Sequence, residues 1–177
     1  NGQFTNGTAA AGLNTKPLGA TSVAMADIDG NGTLDLFIAN YGEVTILRSG
    51  GEVSYRLVNG KSVVSGRFAR RWKIIDNKLF EYGEPSAVYL NDGRGHFTSV
   101  SWTDGRFRDE DGKPLKEIPM DLSLSVMLRD MNGDGAPDIY LCNDFASPDG
   151  IWLNTGNGKF RAIGRTASLD ICYSLDG

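Results

Sequence analysis

The stretch DIDGNGTLD, residues 27–35, returns as DMNGDGAPD, residues 130–138. Both copies carry oxygen-bearing side chains at positions 1, 3, 5 and 9, with glycine at positions 4 and 6. Position 2 is apolar (Ile28, Met131), and so is position 10 (Leu36, Ile139). Glycine accepts positive φ without steric cost, so a loop of this composition can coil tightly. Side chains at alternate positions then converge on its inside. The pattern is that of a loop wrapped around a hard cation.

In the first loop the expected ligands are Asp27, Asp29, Asn31, the main-chain carbonyl of Thr33, and Asp35. In the second the same roles fall to Asp130, Asn132, Asp134, the carbonyl of Ala136, and Asp138. Each set is all oxygen and carries three formal negative charges, which suits calcium, and two Ca2+ sites are expected. No histidine or thiolate lies in either loop, so zinc and copper fit poorly. The first six positions also match an EF-hand, but that loop needs a bidentate glutamate at position 12, where this chain has Ile38 and Leu141. Asp, Asn and Gly are ordinary turn residues as well. That reading would account for one copy, but not for two that share four oxygen positions.

The flanks read as strands. SVAMA (22–26) and LFIAN (36–40) bracket the first loop, and SVMLR (125–129) and IYLCN (139–143) bracket the second. These are short β-branched and apolar runs bounded by glycine and aspartate. A second repeated element is NDGRGHF (91–97) and NTGNGKF (154–160), a Gly-rich turn closed by an aromatic that can pack inward. AVYL (87–90) and IWL (151–153) precede these turns, and NGQF (1–4) reads as the tail of a third. The unit is therefore strand, acidic loop, strand, strand, Gly-rich turn, strand. The first unit carries an insertion of about 40 residues at 42–85 relative to the second. Within it, Asn59-Gly60 predicts a hairpin, and Asp76-Asn77 a second one. A shorter excursion over 107–115 turns at Asp111-Gly112.

Nothing predicts a long amphipathic helix, and 23 glycines in 177 residues favour many turns. The expected fold is all-β: a fragment of a β-propeller, about two four-stranded blades with a hairpin-rich insertion in the first. Blade A spans about 18–100, blade B about 120–163, and a further blade starts at 164–177. The sequence begins at Asn1 with no signal peptide visible, and a third metal loop is due just beyond Gly177, so it reads as a piece of a longer chain. Repeats of this kind bury their faces only against neighbours, so the first expected partners are other blades of the same propeller.

The two units resemble FG-GAP or VCBS repeats, the calcium-binding blades of integrin-α-like β-propellers. A Gly-rich turn ending in Phe, followed by an aspartate loop and LFIAN or IYLCN, is similar to the bacterial cartilage-acidic-protein-like group. The resemblance covers residues 1–41 and 87–160 and leaves the insertion outside. It implies a secreted, cell-surface or periplasmic protein, with modest-affinity loops suited to millimolar extracellular calcium.

Net charge is −4, and six acids sit in the two loops; of 22 acids, 16 remain against 18 bases elsewhere. That local acidity gives no reason to expect nucleic acid, and no apolar run is long enough for a membrane span. Arg67, Arg70, Arg71, Lys73 and Lys78 read as a solvated hairpin face rather than a grip for an anionic glycan or protein. Trp72, Trp102 and Trp152 read as packing residues rather than sugar platforms. His96 is the single histidine and lacks a nucleophile nearby in sequence. Cys142 and Cys172 pair in one reading and are small buried residues in the other. Asn6-Gly7-Thr8 is a glycosylation sequon.

No catalytic constellation is visible, so the expected function is a calcium-stabilised extracellular module for binding, adhesion or assembly, with a protein or glycan as ligand. Two alternatives stand beside it. One is the scaffold of a secreted carbohydrate-active lyase or hydrolase, with its active site in the insertion (for instance Asp76 with Glu81) or outside this segment. The other is a structural subunit of an extracellular assembly.

Overall fold

The computed structural model describes residues 2–16, 18–42, 53–66, 69–75, 78–144 and 147–163. Strand follows strand along them: β1 (Ala20–Ala26), β2 (Asp35–Asn40), β3 (Ser54–Val58), β4 (Lys61–Ser65), β5 (Trp72–Ile75), β6 (Lys78–Glu81) and β7 (Ala87–Asn91). Then come β8 (Phe97–Val100), β9 (Phe107–Arg108), β10 (Ser123–Arg129), β11 (Asp138–Asn143), β12 (Gly150–Asn154) and β13 (Phe160–Ala162). Helical structure in these residues is limited to a 3-10 turn at Ala69–Arg71.

Two larger sheets carry the repeat. The first is the antiparallel meander β1-β2-β7-β8; the second is β10-β11-β12-β13 with β9 added outside β13. Their registers correspond. Ala26 pairs with Asp35 across the first acidic loop, and Arg129 pairs with Asp138 across the second. Both first strands carry an irregularity at the same place, Ala20/Ser22 and Ser123/Ser125. Central strands β2 and β11 are buried along most of their length, as their continuous apolar runs require, whereas β1 and β10 alternate toward solvent. The all-β propeller-fragment expectation is met at the level of sheet order and repeat.

One face of each sheet packs on the other. Phe37, Ala39 and Val88 from the first meet Ile139, Leu141, Trp152 and Phe160 from the second, with Ile28, Trp102 and Phe107 completing the core. Aromatic rings dominate it: Trp102 lies 4.1 Å from Phe107, and Phe107 stacks on Phe160 at 5.1 Å. Trp102 also donates from Nε1 to the Ser86 carbonyl at 2.8 Å, so its polar edge is satisfied inside the core. The expectation that the tryptophans pack holds, and Trp72 is buried too. The first strands of the two sheets are stitched together by Thr21 Oγ1 to Ser123 O at 2.8 Å and Val126 N to Ser22 Oγ at 3.3 Å.

The insertion forms two hairpins where the sequence placed them. β3 and β4 turn at Asn59 (φ 51°) and Gly60 (φ 74°), a type I′ turn matched to strand twist. β5 and β6 pair up to Ile75↔Lys78, while Asp76-Asn77 itself lies outside the described residues.

Three expectations need correction. The basic cluster is a solvated face only in part: Arg70, Lys73 and Lys78 are exposed, but Arg71 is 4% exposed, bonded to Glu81 at 3.0 Å and to the Tyr82 carbonyl at 2.9 Å. Arg67 lies outside the described residues. The excursion at 107–115 is more than a turn at Asp111-Gly112, because β9 runs parallel to β13 and extends the second sheet. The N-terminal turn does not close on its aromatic, since Phe4 is 96% exposed. The proposed Cys142–Cys172 pairing and the start of a further blade at 164–177 also fall outside the described residues.

Candidate metal centre

Each acidic loop is the connection of a β-hairpin, so its ends are fixed by strand pairing at positions 35 and 138. In the first loop, Asp27 Oδ1 accepts the N–H groups of Gly30 (2.8 Å) and Asn31 (3.0 Å), and Oδ2 accepts that of Gly32 (2.8 Å). Asp29 Oδ1 accepts Asn31 N at 3.2 Å. Asn31 Oδ1 accepts both N–H and hydroxyl of Thr33, at 2.8 and 2.6 Å. Gly30 and Gly32 have φ of 78° and 84°, which this coil requires. The second loop repeats the frame. Asp130 accepts Gly133 N (2.7 Å), Asp134 N (3.2 Å) and Gly135 N (2.9 Å), and Asp134 accepts Ala136 N (2.8 Å). The carbonyls of Thr33 and Ala136 accept no hydrogen bond among the described residues.

The loops differ in how their acids converge. Carboxylate oxygens of Asp27, Asp29 and Asp35 lie within 4.8 Å of one another, the only such metal-capable group among the described residues. Asp130, Asp134 and Asp138 do not form one. Position 3 there is Asn132, whose Nδ2 donates to Asp134 Oδ2 at 2.9 Å.

The closing aspartates are the buried members, both 0% exposed. Asp35 accepts Ile28 N at 2.9 Å and Asn91 N at 2.8 Å; Asp138 accepts Met131 N at 2.9 Å and Asn154 N at 2.7 Å. Each therefore ties the start of its own loop to the end of the third strand of its sheet. Burial holds the Asp35 carboxyl above the usual carboxylate range, the charges of Asp29 and Asp27 push the same way, and the two N–H groups oppose them. Asp130 is exposed, and its N–H donors, Gly135 first, hold it below that range.

No lysine or arginine pairs with any of the six loop acids among the described residues. A buried carboxylate beside two others, without a cationic partner, leaves charge that a bound cation would neutralise. The donors are all oxygen, so the residues fit a hard divalent ion.

A family model described as an FG-GAP-like repeat matches residues 130–174. Over those residues the chain is similar to that repeat. The match opens on Asp130, the first residue of the second acidic loop, and takes in β11, β12 and β13. Comparison with curated proteins gives no match, and neither does comparison with solved structures.

Other candidate groups lie away from the repeat's loops. Glu81, offered with Asp76 as an acid pair, is ion-paired to Arg71, and Asp76 lies outside the described residues. His96 is exposed on the first Gly-rich turn. No helix among the described residues is long and apolar enough to cross a membrane. Sequence reasoning missed Asn91 and Asn154 as partners of the closing aspartates. Their signal was the asparagine opening both Gly-rich turns.

Proposed function

We propose that the chain is part of a calcium-stabilised extracellular β-propeller, serving as a module for binding, adhesion or assembly. The observation that carries this reading is Asp35: a fully buried carboxylate within 4.8 Å of Asp27 and Asp29, with no basic partner among the described residues. Asp27, Asp29, Asn31, Thr33 and Asp35 would hold one ion, and Asp130, Asn132, Asp134, Ala136 and Asp138 the other. When bound, calcium supplies positive charge at the mouth of each hairpin. The protein's own contribution is to fix the two strand ends and to shield the closing aspartate.

The role is structural, through linkage. An ion that binds the folded chain and not the unfolded one stabilises it by mass action, about 2.7 kcal/mol per site at 100-fold excess over Kd. Loops with three carboxylates each suit the roughly 10⁻⁴–10⁻³ M affinities of extracellular calcium modules. The FG-GAP-like repeat supports the propeller and its expected surface location.

Calorimetric titration with calcium tests the reading. Two sites are expected, one removed by Asp27→Ala and the other by Asp130→Ala. The absence of heat and of stoichiometric binding in the native chain would overturn it.

A further inference from the structure

The two Gly-rich turns are alike in sequence but not in surroundings. Asn91 Nδ2 donates to the Leu34 carbonyl at 3.0 Å, inside its own sheet. Asn154 is 1% exposed and donates to the corresponding Pro137 carbonyl at 3.2 Å, but also to the Ile28 carbonyl at 2.8 Å, across to the other sheet. Ile28 sits between Asp27 and Asp29, so this bond grips the first acidic loop at its second position, between two of its carboxylates. Gly158, further along the same turn, is pressed against the loop as well: a Cβ there would lie 3.3 Å from the Asp29 Cβ. At the equivalent Gly95 a Cβ would meet nothing within 4 Å. Meanwhile the Asn154 main-chain N–H is held by Asp138, the closing carboxylate of the second loop, at 2.7 Å.

One buried residue thus has its backbone fixed by one loop and its side chain fixed on the other. We propose that Asn154 couples the two acidic loops, so that a cation in either raises the affinity of the other. The proposal rests on the calcium reading above. A cation in the second loop orders Asp138, Asp138 orders Asn154, and Asn154 sets the Ile28 carbonyl between two ligands of the first loop. Linkage makes the effect reciprocal. Asn154 is a positioning residue and touches no ion itself.

The test is a calcium titration of the whole chain followed by NMR, reading the first loop at the Gly32 amide and the second at the Gly135 amide. These amides are bonded to Asp27 and Asp130 respectively. Asp130→Ala, at an exposed position, is expected to raise the calcium midpoint at Gly32 by roughly fivefold or more. Asn154→Ala, with folding checked by circular dichroism, is expected to abolish that shift. Asn91→Ala alters the first loop's own affinity but leaves the shift in place. An unmoved Gly32 midpoint in Asp130→Ala overturns the coupling without needing the Asn154 variant. So does a full shift in folded Asn154→Ala. If neither amide responds to calcium in the native chain, the calcium reading itself fails and the coupling with it.

Discussion

Asp35 shows how one carboxylate can serve two purposes. Its oxygens take the N–H groups of Ile28 and Asn91, which ties the acidic loop to the third strand of the sheet. Burial and the charges of Asp29 and Asp27 make it costly to ionise. For an acid whose folded pKa is raised, the folded state holds the proton more tightly than the unfolded one. Its stability contribution is therefore greatest below the unfolded value and is lost as pH rises through the folded one. In chelator, an NMR titration of the Asp35 carboxyl should give a midpoint above ~3.9, and calcium should lower it. A midpoint at or below that value in chelator would mean that the two N–H bonds outweigh burial. The sequence made the roles of positions 1 to 9 legible because alternation and glycine spacing are local. It did not by itself show which carboxylates converge: the second loop carries them at positions 1, 5 and 9 rather than 1, 3 and 9, and there Asn132 bonds to Asp134 while only the first triad closes up.

At the scale of elements, the strands were readable because each is a short apolar run ended by a turn signal. Asn59-Gly60 specified its hairpin outright. Gly60→Ala, at φ 74°, should cost about 1 kcal/mol and speed amide exchange in β3 and β4 alone. What the sequence hid was non-local. Nothing in Phe107-Arg108 announces a parallel edge strand, because its partner Phe160 lies more than fifty residues away. Phe107 is fully buried against Trp102, Trp152 and Phe160, so Phe107→Ala should cost ~3–5 kcal/mol in chemical denaturation. Phe4→Ala, at a 96% exposed side chain, should stay within about 0.5 kcal/mol. Arg71 was misread for a related reason: five basic residues in one stretch resemble a wet face, and only the folded hairpin reveals that Glu81 and the Tyr82 carbonyl receive one of them.

At the scale of the whole molecule, the two sheets stack head to tail. The registers make Met25, Leu36 and Tyr89 of the first sheet equivalent to Leu128, Ile139 and Trp152 of the second. The latter three pack in or against the shared core, whereas Leu36 and Tyr89 are buried outside that core and Met25 is 51% exposed. Such a head-to-tail contact can be repeated from unit to unit and closes into a ring where the rotation allows, as in a propeller. The join between insertion and second sheet is equally tight. A Cβ on Gly83 would lie 2.0 Å from the Asp121 carbonyl oxygen, and Gly83 N donates to Met120 O at 2.9 Å. Gly83→Ala should therefore lower the melting temperature more than any glycine substitution in the acidic loops of chelated protein.

The most direct test of the account is thermal melting in calcium and in EDTA, for the native chain and the Asp27→Ala/Asp130→Ala variant. With two sites near 2.7 kcal/mol each and ~2–4 °C per kcal/mol, calcium should raise the native midpoint by on the order of 10–20 °C. The double variant should melt at one temperature in both conditions. A native chain whose midpoint is the same in calcium and in EDTA would contradict the claim that its acidic loops are held by a cation.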